Sequence, residues 1–161
     1  MRAQIQVRPV RSEEEARAAS AVALAAFDRF VAPHYSEEGR ATFHKYAAGD
    51  FLLYRLSQGE TGFIAVEDEG EGERVVGMAT ARSGTHLAML FVHPDAQRKG
   101  IGRALLDEVV RYVKQATPGL DLLTVHSSPN AHDAYLRFGF KDTGPEVEDQ
   151  GIRSIPMALP L

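Results

Sequence analysis

Two hydrophobic periods alternate along the chain. Ile5-Gln6-Val7 alternates apolar and polar positions and predicts a short strand that ends near Pro9. Ser12 and Glu15 then have capping-box spacing, and Ala16, Ala19, Ala23, Phe27 and Phe30 follow at helical intervals. Ser36-Glu37-Glu38 starts a second predicted helix, which Gly49 ends. Phe63-Ile64-Ala65-Val66 and Val75-Val76-Gly77-Met78-Ala79 read as strands, and the acidic, glycine-rich EDEGEGE between them as a solvated hairpin loop. A third long apolar strand, His86 to Val92, is stopped by Pro94. From Gly100 to Gln115 the period returns to helical, with Ile101, Leu105, Val109 and Val113 on one face, and Pro118-Gly119 breaks it. Leu120 to Val125 is the next strand. Ser128-Pro129 opens a short helix capped by Gly139, and GFKDTGPEVEDQGIRSIPMAL closes the chain with two strands around a turn. Helices come early, then a run of strands, then strands alternating with helices. That order predicts an α/β (α+β) layer of sheet with helices on its faces.

Composition narrows the function. A length of 161 residues suggests one domain spanning 1–161, and 44% hydrophobic with 25% charged residues suits a soluble protein. No apolar run has the length of a membrane span, and the opening MRAQIQVRPV lacks a signal-peptide core, so a cytoplasmic location is the expectation. Cysteine is absent, which excludes thiolate metal sites and a cysteine nucleophile. Six histidines show no ligand-like spacing, so no metal is expected. A net charge of −4 argues against broad nucleic-acid binding. Any anion site is therefore local.

The densest basic cluster beside glycines is Gln97 to Leu106, QRKGIGRALL, at the strand-to-helix junction. It is no P-loop, because Arg103 and Ala104 follow the second glycine where lysine and a hydroxyl would stand. Nor is it a dinucleotide fingerprint, since Leu105 occupies the third glycine's place. A turn at a helix start can still offer successive N–H groups to an anion, with Arg98, Lys99 and Arg103 adding charge. Taken alone, the loop fits either an anion site or a cationic turn.

A second segment sharpens the choice. LFVHPDAQRKGIGRALL resembles the acyl-CoA-binding segment of the GNAT N-acetyltransferase superfamily: Gln97, Gly100 and Gly102 match Gln/Arg-x-x-Gly-x-Gly/Ala, after a strand in which Leu90, Val92 and Pro94 match L-x-V-x-P. SSPNAHDAYLRFGF resembles the second signature, with Tyr135 four residues before Gly139-Phe140. The resemblance implies a mixed, mostly antiparallel sheet of about six to seven strands, helices on both faces and splayed central strands. It implies acetyl-CoA as cosubstrate, bound by the backbone of Leu90, Phe91 and Val92 and by the loop residues Gln97, Arg98, Lys99, Gly100, Ile101, Gly102 and Arg103. Many members carry asparagine seven residues before the tyrosine; here Ser128 stands there and Asn130 lies two residues later. Asn130 is thus a candidate for the cofactor arm or a helix cap. Dimerisation, common in the family, would make a homodimer.

The chemistry assigns roles within this frame. Tyr135 is the expected general acid for the leaving thiolate. Glu67, His86, His126 or a water chain can take the proton from the amine. His93-Pro94-Asp95 reads as a turn. His34 and Tyr35, between two early helices, are candidates for contact with a small-molecule or peptide amine. A non-catalytic acyl-CoA-binding module on the same fold is the alternative reading.

Overall fold

The computed structural model describes residues 4–68 and 70–161. Met1 to Ala3 and Glu69, part of the EDEGEGE stretch, lie outside the described residues. Strands are β1 (Gln4–Pro9), β2 (Thr61–Asp68), β3 (Glu73–Arg82), β4 (His86–Val92), β5 (Leu122–Ser127), β6 (Lys141–Asp142), β7 (Val147–Asp149) and β8 (Ile152–Pro160). Helices are α1 (Glu13–Ala26), α2 (Glu37–Ala47), α3 (Gly49–Ser57), α4 (Ile101–Ala116) and α5 (His132–Phe138). The strand order is β1-β2-β3-β4-β5-β8-β6, with β7 paired to β8. Every pairing is antiparallel except β4–β5, which is parallel because α4 crosses between them.

The sheet carries helices on both faces. On one, α4 buries Ile101, Leu105, Leu106, Val109 and Val113, each at most 2% exposed, against Ala65, Val76, Ala79, Leu87 and Val125. Each such side chain contributes about 1.5–3 kcal/mol relative to exposure. Close approach depends on Gly77 in β3, where an added Cβ would lie 2.9 Å from both Ile101 Cγ2 and Leu105 Cδ1. On the other face, α1 and α3 bury Ala19, Val22, Ala23 and Leu52 against Ile64, Val66, Met78 and Met89.

The predicted cap of α1 forms: Ser12 Oγ accepts from Glu15 N at 3.1 Å, and the Glu15 carboxylate accepts from Arg11 N at 2.8 Å. Beyond Ala26 the helix widens into a π-helical turn over Phe27–Val31, then tightens to a 3₁₀ turn over Ala32–His34. Gly49 does not end the second helix as expected. Ala48, extended at ψ 145°, breaks the chain, and Gly49 is the first residue of a further helix, α3. The acidic hairpin is also shorter than expected, because Glu67 and Asp68 belong to β2. Among the described residues no helix is long and apolar enough to cross a membrane.

Candidate active site

The centre of the sheet is parted. β4 and β5 pair only at His86–Thr124 and Leu87–Val125. Directly after Leu87, the β3–β4 register slips between Thr80 and Ala81, so Ala88 is an extra residue in β4. The side chains confirm the bulge: Ala88 and Met89 are consecutive yet both pack on the α1 side of the sheet. Leu87, Leu90 and Val92 pack on the α4 side. Beyond the bulge, Leu90, Phe91 and Val92 remain paired to Ala79, Met78 and Gly77 of β3. Their other edge faces the opening between β4 and β5, so backbone N–H and C=O groups are presented to an extended ligand.

That opening is part of a cavity of about 1070 Å³. At one end lies the predicted loop. Arg98 and Gly100 both have left-handed backbone, φ 62° and 76°, which turns the chain sharply into α4. The first helical bond runs from Ala104 N to Gly100 O, 3.0 Å, leaving the preceding N–H groups at the positive end of the helix dipole. Gln97 braces the turn: its Nε2 donates to the carbonyls of Val92, 2.8 Å, and His93, 3.2 Å. Gln97, Arg98, Gly100, Ile101, Gly102 and Arg103 all line the cavity, and Arg137 joins them from α5.

Lys99 departs from this group. Its Nζ lies 2.9 Å from Glu67 Oε1, and Arg74 Nη2 lies 3.2 Å from Glu67 Oε2. Glu67 is 1% exposed, and the Lys99 ammonium, aided by Arg74, holds its carboxyl below the usual range despite burial. Glu67 sits in a separate surface depression with Glu73 and Arg74, away from the parted strands. A paired, ionised carboxylate there is poorly placed as the amine's base; it tethers the loop to β2 instead.

Tyr135 projects from α5 into the same cavity as the loop. Its ring meets Phe138 and Phe140 edge-on, at centroid distances of 6.2 and 5.2 Å. Gly139, at φ 105°, ends α5 and lets Phe140 N bond to Tyr135 O at 3.0 Å, which fixes the tyrosine against Phe140. Burial pushes the hydroxyl up, so it keeps its proton at neutral pH. Among the described residues its hydroxyl has no protein partner for hydrogen bonding. Asn130 and Ser128 also line the cavity, and neither side chain caps a helix, so the capping reading of Asn130 is not what the structure has.

At the far end, where β4 and β5 still pair, His86 and His126 lie with ring centroids 4.8 Å apart. His86 Nδ1 shares a 2.7 Å hydrogen bond with Thr124 Oγ1. Burial, then the charge of Arg82, lower His86 to about 4, so its imidazole is neutral at pH 7. The π turn supplies Phe27, Phe30 and Val31 to the cavity wall, and α2 supplies Phe43 and Tyr46. Tyr35 lines it too, with its hydroxyl donating to Arg153 O at 2.6 Å, whereas His34 is exposed and outside the lining. The β7–β8 hairpin closes the wall. Thr42 Oγ1 donates to Gln150 O at 2.8 Å, and Gly39 meets Gly151 so closely that neither has room for a Cβ. Arg82, Arg137, Phe43, Tyr46 and the hairpin were not expected at the site. Arg137 stands two residues after Tyr135 and could have been found by that spacing; the others arrive through non-local packing. Among the described residues no three His, Asp or Glu side chains gather as metal ligands.

Known proteins place this geometry in a family. A sequence model described as "Acetyltransferase (GNAT) domain" matches residues 31–161. The peptidyl-lysine N-acetyltransferase YjaB of Salmonella typhimurium is 33% identical over 90 residues. That match covers 55% of this chain and 57% of the relative, so the likeness spans little more than half of either. A GCN5-related N-acetyltransferase from Rhodopseudomonas palustris superposes with a TM-score of 0.82 at 26% identity, covering 100% of this chain and 99% of its own. The PaiA N-acetyltransferase of Thermoplasma acidophilum, solved in complex with coenzyme A, has the same fold at a TM-score of 0.78, 19% identity and coverage of 98% and 99%. The chain belongs to the GNAT acetyltransferase family.

Proposed function

We propose that this protein is an N-acetyltransferase that moves an acetyl group from acetyl-CoA to a primary amine of a small molecule, peptide or protein. The observation that carries the proposal is the parted β4–β5 junction opening beside a left-handed, cationic loop, with Tyr135 in the same cavity. Coenzyme A suits these features. Its amide-bearing arm matches the free edge of Leu90, Phe91 and Val92, and its phosphates match the N–H groups ahead of Ala104 together with Arg98, Arg103 and Arg137. The Thermoplasma relative was solved with coenzyme A, and the Salmonella relative is named for an amine acceptor, which supports the same reading.

Acetyl-CoA would supply the activated acyl group, and with no cysteine in the chain the amine is acylated by direct attack. The chain's own groups have three tasks. Backbone N–H groups at the bulge stabilise the charge that gathers on the carbonyl oxygen. Tyr135 holds a proton at neutral pH and gives it to the departing sulfur, a role that contributes about 10²–10⁴-fold. His126, or water lying against the two imidazoles, receives the amine's proton. Calorimetry tests the binding half of the proposal: CoA should bind and ATP should not. Thiol release over a panel of amines tests the other half, and a preference for ATP would overturn the whole reading.

A further inference from the structure

The charges along the cavity are divided in a way that bears on the acceptor. Three of its cationic side chains, Arg98, Arg103 and Arg137, stand with the loop that follows Val92. Arg82 stands apart. It ends β3 and pairs in register with His86, the first residue of β4. Val92 lies six residues along the strand from His86, which at about 3.3 Å per residue puts Arg82 roughly 20 Å from the loop. Phosphates held at the loop are too distant to neutralise it. Among the described residues Arg82 has no carboxylate partner, whereas Arg103 is paired with Asp107 and Arg153 with Glu146.

Arg82 is exposed at the strand end beside His86, and the cavity wall that runs from it towards the loop is aromatic. The cavity between Arg82 and the loop is walled by Phe27, Phe30, Phe43, Tyr46 and Phe91, and Phe27 stacks on Phe43 with centroids 4.0 Å apart. The one acidic residue in the lining is Asp149, on the exposed β7–β8 hairpin. A polyamine or a lysine side chain brings a second positive charge or a cationic environment, and this wall offers Arg82 in place of the carboxylates such ligands need. An amine that carries its own carboxylate reverses the sign. Its anion pairs with a guanidinium built for bidentate contact, and its body lies on the aromatic wall.

We propose that the acceptor is an amino acid-like amine, an aromatic or large apolar body bearing a carboxylate, and that Arg82 determines this specificity by holding the carboxylate. The inference rests on the acetyltransferase reading above and deepens it.

Matched pairs that differ only in the carboxylate give the test: phenylalanine against phenethylamine, and tryptophan against tryptamine, with spermidine and a lysine peptide as cationic controls. Acetyl-CoA is saturating, and thiol release and CoA affinity are both measured. The wild type should favour the carboxylate member by about ten-fold or more in kcat/KM, the worth of one charge-assisted pair. Arg82→Gln should bring that ratio close to one, mainly through KM, and Arg82→Lys should restore part of it. CoA affinity should be the same in all three proteins. Equal or better use of phenethylamine, spermidine or the lysine peptide overturns the inference, as does a ratio that survives Arg82→Gln. In those cases the acetyltransferase reading stands, because an amine is still acylated. A protein that binds no CoA and releases no thiol with any amine removes both.

Discussion

Gly39→Ala sets two physical effects against each other. Gly39 is the third residue of α2 and is buried, with its N–H donating to Ser36 Oγ at 3.1 Å. Its backbone is helical, so alanine should stabilise the helix by about 1 kcal/mol. Packing says otherwise. The new Cβ would lie 2.9 Å from the Gly151 carbonyl carbon, closer still to its oxygen, and 3.1 Å from Tyr35 Cδ2. Backbone is the obstacle, so no rotamer change relieves it. Gly151 is itself held at φ 81° next to Gln150 at φ 52°, a turn with little freedom to retreat. Overpacking of this kind costs about 1–3 kcal/mol, and the hairpin's bond from Thr42 to Gln150 is strained in addition. The clash should win, leaving a net loss of about 1–2 kcal/mol. In a domain of this size that lowers Tm by about 2–8 °C. The hairpin is a wall of the cavity, so acceptor KM should rise while CoA affinity, set at the other end, holds. Calorimetric melting and steady-state kinetics measure both. A variant with equal or higher Tm and unchanged KM would falsify the claim that this glycine contact seats the hairpin.

Four further substitutions test the site. Tyr135→Phe keeps the ring packed on Phe138 and Phe140, so Tm should hold while kcat falls by about 10²-fold; an unchanged kcat across pH removes the general-acid role. Gly102→Ala separates binding from stability. The added Cβ would meet Phe138 and Val92 at an ordinary 3.7 and 3.8 Å, so the helix should gain slightly, yet CoA affinity should drop because the methyl stands in the ligand's path. Glu67→Gln should cost about 1–2 kcal/mol in denaturant melts at pH 7 and weaken CoA several-fold by freeing Lys99 and the loop. Because Glu67 is held below its usual range, that stability is present above pH 4.5 and lost as pH falls, so the two proteins should converge in acid; a constant gap at all pH refutes the ion-pair account. His86 is lowered to about 4, so the wild type should lose stability as pH falls from 6.5 towards 4, and His86→Asn should lose less over that window; parallel curves refute it.

The parts of the site that the sequence made legible are those built by neighbours. Arg98 to Arg103 lie in one turn, and Tyr135, Gly139 and Phe140 in another, so spacing alone brought each group together. What spacing could not show was set by distant partners. Ala88 looks like any strand residue, and the bulge exists because β3 pairs on either side of it. Lys99 looked like a third cation for the anion site until the fold brought Glu67, 32 residues away, beneath it. Arg82 reads as an ordinary strand end, and only the closing of Tyr46 and His86 around it makes it part of a cavity. Gly49 misled for a local reason: glycine signals a helix stop, but the stop was Ala48 and the apolar run after it began another helix.

The scant pairing between β4 and β5 also bears on how the molecule breathes. Two residue pairs join a four-stranded half, β1 to β4, to a second half built from β5 to β8. Such a seam is where cooperative folding units part, so backbone amides of β5 and β8 should exchange with solvent through a smaller opening than those of β2 and β3. A ligand strand lying in the seam would stitch the halves together, and exchange in both should then slow in step. Occupancy of the site could be read from hydrogen exchange tens of ångströms away, with no change in the average structure.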